Sequence, residues 1–90
     1  MTQYIQIPQC YRKFTNGDDF VEVNAANVEA AIIDLLSRFT ELKKEMTDDH
    51  GALRRFVNVY VNKEDLRFLQ NRQTPLKDGD EIIIVPPILD

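Results

Sequence analysis

The chain has 90 residues, 43% of them hydrophobic and 29% charged, with a net charge of −4. That size and balance exclude a disordered chain and allow one domain with one modest core. Residues 1–45 hold five Lys/Arg against seven Asp/Glu, and residues 46–90 hold six against eight. Arg54-Arg55 is only a dipeptide, so nothing here offers the clustered positive charge that nucleic-acid phosphates require. Cys10 is the single cysteine, which excludes an intrachain disulfide. No apolar run reaches the length of a membrane span or a signal peptide. The expectation is one cytoplasmic domain over residues 1–90, with 86–90 as a C-terminal tail and no nucleic-acid or membrane partner.

In chain order, "QYIQIP" alternates, with Ile5 and Ile7 on one face and Tyr4 and Gln6 on the other. That is a strand, ended by Pro8. "NGDD" at 16–19 is a turn centred on Asn-Gly. "FVEVN" alternates again through Val21 and Val23, so the first two strands read as a hairpin. The period then changes. Val28, Ala31, Ile32, Leu35, Leu36 and Phe39 recur at helical spacing. Asn27 suits the N-cap, and Glu29 and Asp34 suit the N-terminal half of the helix dipole. "TELKKEM" adds a further helical turn or two, and "TDDHGA" at 47–52 ends it.

"FVNVYVN" is the most regular strand pattern in the chain. Val57, Val59 and Val61 point one way; Phe56, Asn58 and Tyr60 point the other. "NKED" reads as a turn, "LRFL" as a short edge segment, and "TPLKDGD" as two more turns. "EIIIVP" is the last strand, with Ile82 and Ile84 on one face and Ile83 and Val85 on the opposite one. Strand, strand, helix, strand, short strand, strand is an α+β order. A four- to five-stranded mixed sheet packed on one main helix matches the β-grasp, or ubiquitin-like, fold, in which the last strand lies beside the first.

"RRFVNVYVNKEDLRF" followed by "TPLKDGDEIIIVPP" resembles the MoaD/ThiS sulfur-carrier family, nearest to its cysteine-biosynthesis members. The family pattern is F-V-N-h-h-V-N, then L-x-D-G-D-E-h-h-h-h-P, where h is apolar. It is met at Phe56–Asn62, Leu76–Glu81 and Ile82–Pro86. The resemblance implies a carrier with no catalytic residue and no cofactor of its own. In such proteins an E1-like, ATP-dependent adenylating enzyme activates a C-terminal Gly-Gly. Sulfur then replaces AMP, and the thiocarboxylate serves a sulfur-acceptor enzyme of molybdopterin, thiamine or cysteine biosynthesis.

The sequence departs from that pattern at its end. Pro86, Pro87, Ile88, Leu89 and Asp90 stand where the family has P-x-h-x-G-G. Glycine threads narrow channels because it lacks a Cβ; Asp90 occupies the first glycine position and the second is missing. An acyl-adenylate on Asp90 would sit beside its own β-carboxylate, which could close an internal anhydride at high effective molarity. Three readings stay open. The sequence stops short of the native end, or the chain is a family member turned to non-covalent binding as an adaptor, or its terminus is activated in an unfamiliar way. Two prolines hold this tail extended, and five residues reach at most about 17 Å.

Phe56, Tyr60, Ile83 and Val85 alternate out of the core. They could be ordinary strand residues on a pleated surface, but four such side chains near the tail favour a partner-binding patch. Cys10 lacks a second cysteine or a nearby histidine and reads as an incidental or buried thiol. His50 with Asp48 and Asp49 is too few ligands for a metal. "DGDE" at 78–81 reads as a turn rather than a calcium loop. Asp18-Asp19 and Lys43-Lys44 read as solvated charge. No metal site and no catalytic constellation is expected.

Overall fold

A computed structural model describes residues 2–51, 53–54, 57–65 and 69–85. Its strands are β1 (Gln3–Gln6), β2 (Phe20–Val23), β3 (Asn58–Val61), β4 (Glu64–Asp65) and β5 (Glu81–Val85). Two helices, α1 (Val28–Arg38) and α2 (Thr40–Met46), lie between β2 and β3. The strands form one sheet in the order β2-β1-β5-β3-β4. β1 and β5 run parallel at its centre, and the other pairs are antiparallel. This is the mixed β-grasp sheet, with the last strand against the first.

Alternation sets which side is buried. Ile5, Val21, Val23, Val59, Val61, Ile82 and Ile84 all face inward. The helical period supplies the other half of the core through Val28, Ala31, Ile32, Leu35 and Leu36. Each such Val, Leu or Ile side chain contributes about 1.5–3 kcal/mol on burial. Asn27 caps α1 as its sequence predicts, its Oδ1 accepting from the Ala30 N–H at 2.8 Å. Asp34 lies farther along, paired with Arg38 one turn on, and Arg38 Nη2 also donates to the Glu22 carbonyl of β2 at 2.6 Å.

Four details differ from the sequence expectation. β1 and β2 do pair, but a 3₁₀ segment, Gln9–Phe14, lies between them and buries Tyr11, while Cys10 is exposed. The pattern there is too short to show a period. The helical stretch is two helices, because Phe39 takes φ −123° and ψ 82°, outside the helical region. α2 then buries Leu42 and Met46. The edge strand is Glu64–Asp65, so "NKED" is half turn and half strand. Only Asn62 and Lys63 turn, both at positive φ (49° and 75°), as a two-residue primed hairpin requires. Most of "LRFL" lies outside the described residues; Leu69 packs partly against the core. Finally, Asn71–Gln73 is a 3₁₀ turn.

Candidate functional site

The outward face of the sheet is built by the residues that alternate with the core. β3 and β5 put Tyr60 directly opposite Ile83, and Asn58 opposite Val85. Directly opposed side chains have Cβ atoms about 4.5–5.5 Å apart, so Tyr60 and Ile83 form one surface rather than two. Both are half-buried, as is Val85. The register continues across the sheet: Ile83 is opposite Gln6, and Gln6 is opposite Phe20. One cross-strand row thus reads Phe20, Gln6, Ile83, Tyr60. The neighbouring row places Tyr4 between Glu22 and Glu81. Tyr4 is 38% exposed and Phe20 47%, a large commitment of aromatic surface to solvent for so small a domain.

Three of the four expected patch residues, Tyr60, Ile83 and Val85, therefore come together. Phe56 lies outside the described residues, as do Pro86, Pro87, Ile88, Leu89 and Asp90. Sequence reasoning missed Tyr4 and Phe20. The signal was available: each alternates with a core residue, Ile5 or Val21, and belongs to the same outer face. What was lacking was the register that brings β1 and β2 beside β5.

The polar residues of the family-like motif have a different task. Asn62 Nδ2 donates to Asp80 Oδ1 at 3.0 Å, and Asn62 Oδ1 accepts from the Glu81 N–H at 3.0 Å. Asp80 Oδ2 accepts from the Lys77 N–H at 2.8 Å, closing the turn before β5. These bonds, first that from Asn62 and then that from Lys77, hold the Asp80 carboxyl below its ordinary pKa. Gly79 takes φ +84°, a left-handed conformation that suits glycine. Asp78 Oδ1 accepts from the Thr2 N–H at 2.8 Å and Gly79 donates to the Thr2 carbonyl at 2.7 Å. The fully buried Gln3 spans from the Lys77 carbonyl to the Ala25 N–H. "DGDE" is therefore a clasp that ties the turn before β5 to the start of β1 and to the β3–β4 turn. It positions the outer face, to which only its last residue, Glu81, belongs.

Among the described residues no group of three or more His, Cys, Asp or Glu is placed to hold a metal ion. No described helix is long and apolar enough to cross a membrane.

A β-grasp sheet with an apolar outer face on its central strands defines a ubiquitin-like protein. Comparison places it more closely. Residues 5–89 match the ThiS family model. The sulfur carrier protein CysO of Mycobacterium tuberculosis is 34% identical over 90 residues, covering 98% of this chain and 97% of that one. In the crystal structure of the Amycolatopsis orientalis BexX/CysO complex, a chain 36% identical superposes with a TM-score of 0.86, with 98% of each chain covered. SAMP1 of Haloferax volcanii shares the fold, with a TM-score of 0.87 at 22% identity, 100% of this chain and 99% of that chain being covered. The chain belongs to the ThiS family. It is a ubiquitin-like sulfur-carrier-family protein.

Proposed function

We propose that this protein docks the outer face of its sheet onto a partner enzyme and presents residues 86–90 to that enzyme's active site. The observation that carries this reading is the opposed pair Tyr60 and Ile83, with Val85 beside them on β5, the strand that leads directly into residue 86. A patch there sets both the place and the direction from which the tail enters. Tyr4 and Phe20 extend the patch, and aromatic residues at the centre of an interface bury much area at little entropy cost. The inserted unit is the domain up to Val85, followed by the tail. The CysO relative crystallised with BexX supports docking as the mode of action.

For this chain the partners are an E1-like adenylating enzyme and a sulfur-acceptor enzyme. On this reading the protein works in the cytoplasm, where ATP is available to the activating enzyme. The terminus decides the chemistry after docking. A chain ending in Gly-Gly keeps its adenylate until sulfur replaces AMP, whereas on a chain ending on Asp90 the β-carboxylate attacks any adenylate that forms, closes an internal anhydride and releases AMP before sulfur can enter. Incubation with ATP and the cognate activating enzyme tests this. The 90-residue chain is expected to give no AMP adduct and no oxygen-for-sulfur exchange in its mass. The same chain with Asp90 replaced by Gly-Gly is expected to give both. A thiocarboxylate on Asp90 would refute the argument from its side chain. Failure of both chains to bind would remove the docking surface.

A further inference from the structure

The helical side of the domain carries a recess, away from the outer sheet face. α1, α2, Thr47, Gly51, Leu53 and the 3₁₀ turn at Asn71–Gln73 enclose a groove of about 230 Å³, whose lining includes Ile32, Ile33, Leu36, Lys43 and Arg72. Sites for drug-sized ligands occupy roughly 300–1,000 Å³, so this groove suits one or two side chains rather than a cofactor. Its floor is apolar: Ile32 and Leu36 are buried and Leu53 is partly so. Ile33, on α1, is 58% exposed.

Its edge is cationic in a protein of net charge −4. Lys43 is exposed and makes no ion pair among the described residues. Arg72 is weakly held. Its Nη2 lies 3.6 Å from Glu29 Oε1, beyond the usual range of about 2.7–3.2 Å for an N–H···O hydrogen bond. Its Nε is buried with no hydrogen-bond partner among the described residues. An arginine with so little committed can turn to a better acceptor at small cost. Glu29 keeps another partner, Gln73 Nε2 at 3.0 Å. An apolar recess with two under-used cations fits a short aliphatic peptide followed by an acidic side chain. The chain contains one such peptide, Pro86-Pro87-Ile88-Leu89-Asp90.

We propose that this groove receives residues 86–90 of a second copy of the chain. Ile88 and Leu89 occupy the apolar floor, and the side-chain carboxylate of Asp90 faces Lys43 and Arg72. The two prolines fix φ, so less entropy is lost on binding than for a free peptide. Groove and tail are different surfaces, so the contact is head-to-tail and the assembly grows with concentration. Exposed charge pairs are weak and screened, so association is weak and salt-sensitive. The tail cannot occupy the groove and a partner enzyme at once, so self-association and docking exclude each other.

Two full-length variants separate the possibilities. One keeps the groove and disables the tail (Ile88→Ser, Leu89→Ser, Asp90→Lys); the other keeps the tail and disables the groove (Ile33→Glu, Lys43→Glu). Ile33 and Lys43 are exposed, so the groove-disabled variant is expected to fold, and a thermal melt of each variant checks that both do. Sedimentation at low salt is expected to show the unaltered chain growing with concentration. Each variant alone should lose roughly tenfold or more in association constant. When the isotope-labelled tail-disabled variant is mixed with the unlabelled groove-disabled one, NMR shifts are expected at Ile33, Leu53 and Arg72. No shift at millimolar concentration overturns the proposal. So do groove signals that differ between the unaltered and tail-disabled chains at every dilution, since the occupant is then the chain's own tail. Tyr60→Ala leaves self-association unchanged, so this test fails or succeeds independently of the sheet-face docking.

Discussion

β3 and β5 carry two faces made from the same kinds of residue, and the two do opposite work. Inward, Val59, Val61, Ile82 and Ile84 are no more than 6% exposed and meet the helices. Outward, Tyr60, Ile83 and Val85 remain partly in solvent. Composition cannot separate them, since both are branched or aromatic apolar side chains. Position in the two-residue period separates them completely. The inner face is needed for the domain to exist; the outer face is the surface proposed to meet a partner. Substitutions on the two sides should therefore divide cleanly between stability and binding.

The largest effect is expected inside. Val59→Asp puts an unpaired charge into the core and should abolish the folded state, read as loss of a cooperative thermal transition. A melt within a few degrees of the unaltered protein would show that Val59 does not face the core. The clasp comes next. Asn62→Ala removes both the donor to Asp80 and the acceptor for the Glu81 N–H, at a cost of about 1–3 kcal/mol in denaturant unfolding. Gly79→Ala meets no atom within 4 Å, so its cost is backbone strain alone, about 1–2 kcal/mol. A larger loss would mean that the clasp gives way as a unit.

Asp80 adds a pH dependence whose sign is fixed. Its carboxyl is held below the ordinary value when folded. The stability it contributes is present above the unfolded aspartate pKa of about 3.9 and is lost as pH falls through the lower folded value. Asp80→Asn should flatten that acid limb, measured as thermal midpoint against pH, and change little near neutrality beyond a constant offset. The smallest effect on stability is expected outside: Tyr60→Ala and Ile83→Arg should each change unfolding free energy by about 1 kcal/mol or less.

How much of this was legible in the sequence follows from the range of each interaction. Strand alternation and the helical period are local, so the core residues and both faces of β3 and β5 could be read directly. The Asn27 cap was legible for the same reason. The break at Phe39 was not, because the apolar spacing runs through it and only a backbone angle divides α1 from α2. The Gln9–Phe14 segment is too short to show a period, so the burial of Tyr11 beside an exposed Cys10 could not be foreseen. The outer face was half legible. Tyr60, Ile83 and Val85 follow from alternation, whereas Tyr4 and Phe20 join them only through a register set by pairing distant segments. "DGDE" could be read as a turn, but its tie to Asn62 spans 18 residues and needs the fold.

The most direct test of the account is a titration of Ile83→Arg and Tyr60→Ala against the cognate adenylating enzyme, alongside their thermal melts. The account predicts near-normal melting with affinity lowered at least tenfold for Ile83→Arg, since an arginine at the centre of an apolar contact leaves a charge unpaired there. Unchanged affinity in both variants, with both folded, would show that the partner does not bind this face of the sheet.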